Sequence, residues 1–508
     1  MPDKFSDNKK TLHAVRTEII VFVLLILTAS VLLFTGLGTR ALWQDEAQTP
    51  LIAKTVIDRG LPYGTDGLNY FSQDGGIEYG PDYIWKWHPW FQFYYLAAFI
   101  KVFGESNFMY RFPFALLGLF SVIVVYFYIR NLTKSFKRAL FASAFLLFSV
   151  FFLLLVRQSR YYSPEILFTL ISLFSYALYV REGKKMHLVV WTAVMTMLFH
   201  TIYLYFYSAM LAFFIHYVIF VRRRDISLFA FFAGVFAVNT PFVFLLYNIE
   251  FNAANSNMFS LIHFGQSALA YLKFIFQYVF SPLLIAAALL FVLEKVSRKQ
   301  QVKVQDGIEW LLVIFAVTGF ICISVLTDAP FLRNTAGIAA ALSVLAGLLV
   351  YKIYERHKLA GLLLSAVLLL NMTFFKYIKE LRLDWKEAGE CITEFLNANS
   401  APGDAVFITY PDLVVKLYTG LRVYGGLTGE DFENVKNPKF VVIRKYIGSE
   451  YEKRTLAYLR SNVDESKYKK YILPCADRFW ENREDPVNHD FEPDEKEEKV
   501  IIYKRIRP

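Results

Sequence analysis

The chain has 508 residues, of which 56% are hydrophobic, 18% aromatic and only 19% charged. With a mean hydropathy of +0.37 it is too apolar for an ordinary soluble protein and is expected to be a polytopic α-helical membrane protein. The net charge of +10 sits in short basic clusters between apolar runs, where such charge orients membrane helices, and this argues against nucleic acid as a partner.

The first apolar run, 18–38, is long enough to cross a bilayer, since ~20 helical residues span the ~30 Å hydrocarbon core. It is too long for a signal-peptide core and no small-residue cleavage site follows it. At its outlet stand Trp43-Gln44-Asp45-Glu46-Ala47, so Asp45 and Glu46 place two adjacent carboxylates at a membrane face. A carboxylate there is either an interfacial loop charge or a base that takes a proton from an attacking hydroxyl.

Loop 39–110 is long and is expected to carry structure or function of its own. Its aromatic stretch, with Trp85, Trp87, Trp90 and Phe91 to Tyr95, predicts one or two amphipathic helices lying along the interface; 89–102 is short for a span. His88 opens this stretch within Lys86-Trp87-His88-Pro89-Trp90 and could donate to a phosphate, although a lone histidine is more often structural.

Further spans are predicted at 111–130, 139–156, 165–180, 188–203, 204–221, 226–247, 271–293, 308–326, 335–353 and 359–376, about eleven in all. No polar break separates 188–203 from 204–221. The clusters Lys9-Lys10, Lys134 with Lys137-Arg138, Lys184-Lys185, Arg222-Arg223-Arg224, Lys295 with Arg298-Lys299, and Arg356 with Lys358 then share one side, the cytoplasm by the positive-inside rule. The N-terminus is expected inside. Loops 39–110, 157–164 and 248–270, and everything after about 377, are expected outside.

Loop 157–164 holds Arg157, Arg160, Tyr161 and Tyr162, with Glu165 just beyond. Outer arginines are unusual, and either a phosphate ligand, which guanidinium grips bidentately, or snorkelling to lipid headgroups explains them. Arg333, within 328–334, is a further outer arginine at a helix start. His263, in loop 248–270, is compatible with a metal or substrate role, but no ligand pattern surrounds it.

From 384 the charge density rises. A helix over 385–396, a turn at Pro402-Gly403-Asp404, strands at 405–409, 440–443, 471–473 and 500–503, and a helix over 450–459 predict a small extracytoplasmic α/β domain, 377–508, after a membrane domain, 1–376. No Gly-rich phosphate loop follows a strand. Of the three cysteines, Cys322 lies in an apolar run, while Cys391 and Cys475 form a disulfide or remain thiols; their spacing does not suit a metal site.

The order of several short motifs resembles the glycosyltransferase C superfamily, in particular its protein O-mannosyltransferase and lipid A aminoarabinose transferase group. They are Trp43 to Ala47 after the first helix, His88-Pro89 before an aromatic run, Arg111-Phe112-Pro113, Arg157 to Tyr162, Phe331-Leu332-Arg333, and Asp384-Trp385. The resemblance covers about 18–410. It implies an inverting sugar transfer from a polyprenyl-phosphate donor to an acceptor outside the cytoplasm, in the bacterial inner membrane. It implies Asp45 as general base with Glu46 in support. Arg160 and Arg333 would hold the donor phosphate, and His88 stands where relatives place a basic residue on that phosphate. Loop 248–270 would close over substrate. His88-Pro89 is followed by Trp90 rather than a second proline, Trp87 stands where a metal-associated member has an acid, and Glu165 stands where some relatives have Asp. A metal is therefore not carried over, and no cofactor is expected. A lipid-linked sugar transporter would instead show midplane polar residues on interrupted helices. A membrane-anchored glycan-binding protein would bind ligand through 384–508 alone.

Overall fold

A hydrocarbon layer offers no water to backbone N–H and C=O groups, so apolar runs within it must fold as helices. The computed structural model describes residues 4–221, 225–247, 260–297, 308–327, 330–383, 385–428, 432, 435–445, 448–478, 486, 489–492 and 496–506, without the side chains of 4–14 and 291–297. Arg222 to Arg224, Arg298-Lys299, Asp384 and most of the loop expected to close over substrate lie outside these residues.

The helices in chain order are α1 (Lys4–Phe34), α2 (Gln44–Arg59), α3 (Phe91–Phe103), α4 (Asn107–Thr133), α5 (Phe136–Leu147), α6 (Val150–Val156), α7 (Tyr162–Glu182), α8 (Lys185–Phe199), α9 (Tyr203–Phe220) and α10 (Ile226–Asn239). There follow α11 (Pro241–Leu245), α12 (Leu261–Phe274), α13 (Pro282–Ser297), α14 (Ile308–Leu326), α15 (Ala336–Arg356), α16 (Lys358–Leu369), α17 (Met372–Glu380), α18 (Ala388–Asn399), α19 (Asp412–Tyr418) and α20 (Glu450–Asn462). Among the described residues seven segments are long and apolar enough to span alone. Three further bent pairs, α5 with α6, α12 with α13 and α16 with α17, make up to ten. The expected run 188–203 falls on α8, which is shorter. Its separation from α9 at 200–202 is braced from outside the bundle: the Phe91 N–H donates to the His200 C=O at 3.0 Å.

The first loop departs from expectation. Asp45 and Glu46 do not lie in an irregular loop but in the first turn of α2, whose C-terminus stops at Gly60 in the left-handed region (φ 80°). Helix α2 lacks a solvent stripe because it is packed on several sides, with Gln44, Glu46, Ala47, Gln48, Thr49, Leu51, Ile52 and Val56 all buried. The aromatic stretch forms α3, which packs on α2. His263 is likewise not a loop residue: it sits in the first turn of α12, its Nε2 3.1 Å from the Thr327 carbonyl oxygen.

The C-terminal region carries five strands, β1 (Ala405–Ile408), β2 (Arg422–Gly425), β3 (Phe440–Val442), β4 (Tyr468–Ala476) and β5 (Lys499–Arg505), in the order β2-β1-β3-β5-β4. β1 is parallel to β2 and β3, while β5 is antiparallel to β3 and β4. Cys391 on α18 and Cys475 on β4 are disulfide-bonded, with Cα atoms 6.3 Å apart. β2 and α19 were not expected, and both face the first loop. Leu413, Val414 and Leu417 of α19 join one apolar cluster with Leu51, Ile52, Phe93 and Phe114. Gln44 Nε2 donates to Asp412 Oδ1 at 2.8 Å, and Asn69 donates to the Leu421 C=O while accepting from the Val423 N–H, each at 2.9 Å. The sheet thus clamps the helix that presents Asp45.

Candidate active site

The first turn of α2 points its two carboxylates in different directions, as adjacent helical positions must, ~100° apart. Asp45 Oδ2 meets Arg333 Nη1 at 2.9 Å, and both side chains keep partial exposure, 15% and 20%. Arg333 is delivered by a 3₁₀ turn, Leu332–Thr335, that leads into α15, and its guanidinium lies 4.4 Å from the Phe331 ring centre. Arg160, buried at 4% exposure, donates through Nη1 to the backbone C=O of Asp45 at 3.0 Å and to Gln48 Oε1 at 3.2 Å.

Two polar atoms here are left without a hydrogen-bond partner out of solvent: Arg160 Nε and His88 Nδ1. Buried polar groups are nearly always paired, so these two nitrogens beside an ion pair are available to a polar ligand. The His88 ring lies 5.2 Å from that of Tyr161, over which Arg160 also sits at 5.4 Å. Burial foremost, and then the charges of Arg160 and Arg333, hold the His88 imidazole well below the usual histidine pKa and hence neutral at pH 7. Asp45 against Arg160 and Arg333 leaves the cluster one positive charge in excess, the complement of a phosphodiester.

Glu46 faces away from this cluster. Its carboxylate takes Arg111 Nε at 2.9 Å and Nη2 at 2.5 Å, and the Ser159 N–H at 2.9 Å. Arg111 spends its remaining donors on the carbonyls of Leu37, Arg40 and Ala41, closing the turn between α1 and α2. Arg157 is also spent on scaffold: Nη1 donates to the carbonyls of Leu32 and Leu33, and Nη2 to Thr35, at 2.8–3.1 Å. Those are orphan carbonyls at the end of α1, which every helix must satisfy. Arg40, Glu46, Arg111, Arg157, Glu380 and His489 line a small cavity on this side.

Of the other expected residues, Tyr161 and Tyr162 are buried and in ring contact at 4.7 Å. Glu165 accepts the Gly337 N–H at 2.8 Å, tying α7 to the start of α15 and so to the Arg333 turn. His263 joins α12 to Thr327, where Tyr271 also bonds and hands on to Asn334, beside Arg333. The structure therefore brings together Asp45, His88, Arg160, Tyr161 and Arg333, and separates them from Glu46, Arg157 and His263. Sequence reading did not single out Gln48, one turn from Asp45, although its i, i+3 spacing on a helix would have carried it had α2 been foreseen. Among the described residues no three His, Cys, Asp or Glu side chains converge as for a metal.

Residues 87–247 match the family described as dolichyl-phosphate-mannose-protein mannosyltransferase. That segment includes His88, Arg111, Arg157 and Arg160, but neither Asp45 nor Arg333. In fold, the protein is similar to ArnT from Cupriavidus metallidurans bound to undecaprenyl phosphate, with 15% identity, 95% of this chain and 97% of that one covered, and a TM-score of 0.61. It is also similar to the Archaeoglobus fulgidus oligosaccharyltransferase in complex with zinc and sulfate, at 14% identity, 89% and 71% coverage, and a TM-score of 0.51. An uncharacterized protein of Aquifex aeolicus (strain VF5) is 29% identical over 175 residues, 34% of this chain; the match spans about a third of that curated relative's length, 32%. The fold is that of the glycosyltransferase C superfamily, multi-pass in the membrane and closed by a small C-terminal sheet.

Proposed function

We propose that the protein is an integral membrane glycosyltransferase that moves a hexose or pentose from a polyprenyl phosphate, such as undecaprenyl phosphate, to a lipid, glycan or protein acceptor on the extracytoplasmic face. The observation that carries the reading is the convergence of Asp45, Arg160 and Arg333, from α2, the α6–α7 turn and the α15 entry, with buried unpartnered nitrogens of Arg160 and His88 within it. The family match over 87–247 and the fold shared with ArnT support the donor class.

In this mechanism Asp45 accepts the proton of the acceptor nucleophile, the nucleophile bonds to the anomeric carbon, and the carbon–oxygen bond to phosphate breaks with its electron pair. The departing phosphate gains one negative charge as Asp45 loses one, so Arg160 and Arg333 face a second negative charge without any cation having to move. Fixed charge placed where charge develops is the largest of the usual catalytic terms. His88, neutral, supplies a hydrogen bond rather than a charge. A retaining route would need a second carboxylate ~5 Å from the first, acting as nucleophile. Glu46 is bound to Arg111, so a single displacement with inversion fits the site, and Glu46 and Glu165 act as positioning residues. The donor reaches Arg160 and Arg333 from the bilayer, with the N-terminus in the cytoplasm.

The test is Asp45→Asn in the full-length protein, given undecaprenyl-phosphate-linked hexoses and pentoses. Loss of about 10³-fold or more in transfer is expected, within the range of a removed general base, with undecaprenyl phosphate still bound. Transfer near the wild-type rate removes Asp45 as base. Carrier translocation without transfer, unchanged by the substitution, makes the protein a transporter.

A further inference from the structure

Glu78 belongs to none of the groups just assigned, yet it is 3% exposed within the first loop. A carboxylate taken out of water without a cation is costly unless hydrogen bonds hold it. Its Oε2 accepts from the Ser72 hydroxyl, from the Gln73 N–H at 2.6 Å and from the Asp74 N–H at 3.2 Å. Its Oε1 accepts from Gln48 Nε2 at 3.3 Å, and the same nitrogen donates to the Phe71 C=O at 3.0 Å.

Those two contacts fix the Gln48 amide. With its nitrogen committed on one side, Gln48 turns Oε1 to the Arg160 Nη1 at 3.2 Å; flipped, it would set N–H against N–H. The backbone of Glu78 reaches the site by a second route. Its C=O accepts the N–H groups of Lys86 at 2.9 Å and Trp87 at 3.1 Å, the two residues that lead into His88.

We infer that Glu78 is a positioning residue for the phosphate subsite, orienting the Arg160 guanidinium through Gln48 and setting the segment that leads into His88. The inference rests on the proposed reading of Arg160 as a donor-phosphate ligand. Its side-chain route is the testable part, because a substitution that keeps the backbone leaves the His88 route in place.

The test uses full-length protein in detergent, undecaprenyl phosphate as probe, and ligand-dependent thermal stabilisation as readout. In Glu78→Gln the side-chain volume is kept, but the new amide turns an N–H toward Gln48 if its oxygen stays with the Ser72, Gln73 and Asp74 donors. Affinity is expected to fall about tenfold, the size of one hydrogen bond to a charged group. Gln48→Met is expected to fall by a similar factor, and the double variant Glu78→Gln/Gln48→Met no further than Gln48→Met alone, as an indirect route requires. A purely structural Glu78 lowers the melting temperature with affinity unchanged, or gives losses that add; either result overturns the inference. If Arg160→Ala binds the probe as wild type does, the phosphate reading falls and this inference with it. If Arg160→Ala loses binding while the Glu78 and Gln48 effects add, only this inference falls.

Discussion

Adjacent residues of α2 anchor two arginine–carboxylate clusters of opposite character. On one side Glu46, Arg111 and the capping Arg157 spend their donors and acceptors on one another and on backbone groups of the α1–α2 turn. On the other, Asp45 and Arg333 keep partial exposure, the buried Arg160 leaves its Nε unpaired, and His88 Nδ1 beside it is unpaired too. Composition alone does not separate them, since each has one carboxylate and two arginines. Satisfaction does: the Glu46 and Arg111 side chains spend their hydrogen bonds on protein partners, whereas Arg160 keeps an unpaired Nε, which suits its proposed role as a ligand to phosphate oxygens.

The sharpest way to break this contrast is Glu46→Ala. It leaves Arg111 buried without its counter-charge, and removing one partner of a buried pair costs about 3–5 kcal/mol. Chemical denaturation of the solubilised protein should show that loss, whereas Asp45→Asn, which keeps the side-chain volume and an oxygen for the partly exposed Arg333, should cost about 1 kcal/mol. A stable Glu46→Ala protein that has lost transfer would place Glu46 in the chemistry after all.

Glu78 gives an intermediate case, a buried carboxylate with hydrogen bonds but no cation, and it predicts a pH dependence. Burial raises its pKa to about 7 from 4.5, against the pull of Ser72 and the backbone donors. Between these values the unfolded protein has released a proton that the folded protein retains, so stability falls as pH rises through this window and levels off above about 7. The upper bound is ~3 kcal/mol. Melting curves between about pH 5 and pH 8 should show the decline in wild type and a flatter profile in Glu78→Gln.

How much of this was legible in the sequence follows from which signals are local. The spans rest on hydrophobic length, and the expected runs fall on helical segments, although 139–156, 271–293 and 359–376 each fall on a bent pair and 188–203 on the short α8. The strands at 405–409, 440–443, 471–473 and 500–503 each fall on β1, β3, β4 or β5. Four-residue β2 and seven-residue α19 were not seen, because their burial comes from packing against the first loop rather than from a pattern of their own. Helix α2 was hidden for the same reason: buried on several sides, it has no polar stripe to report its period. By position alone Asp45 and Glu46 were equivalent neighbours, ranked only by the resemblance, and it is the helical turn that sends one to Arg333 and the other to Arg111. Arg157 and Arg160 were alike by residue type and position, and only the resemblance put Arg160 on the donor phosphate. What distinguishes them is whether the end of α1 lies within reach, a fact of tertiary packing.

That last pair yields the smallest effects and the cleanest comparison. Arg160→Ala removes a buried guanidinium whose Nε has no partner, and is expected to weaken undecaprenyl phosphate binding about 100-fold, ~2.7 kcal/mol. Arg157→Met keeps an unbranched apolar stem but loses the guanidinium, which lies 5.9 Å from the Tyr377 ring centre, and abandons the carbonyls of Leu32, Leu33 and Thr35. The Tyr377 hydroxyl still donates to the Leu32 carbonyl at 2.7 Å, so one of the three stays satisfied and the cost is held to about 2 kcal/mol. This loss should appear in the unfolding midpoint while probe affinity stays within about twofold of wild type. Binding losses of equal size in both variants would mean that the carrier's phosphate reaches the end of α1, and that the saturated cluster opens to receive it.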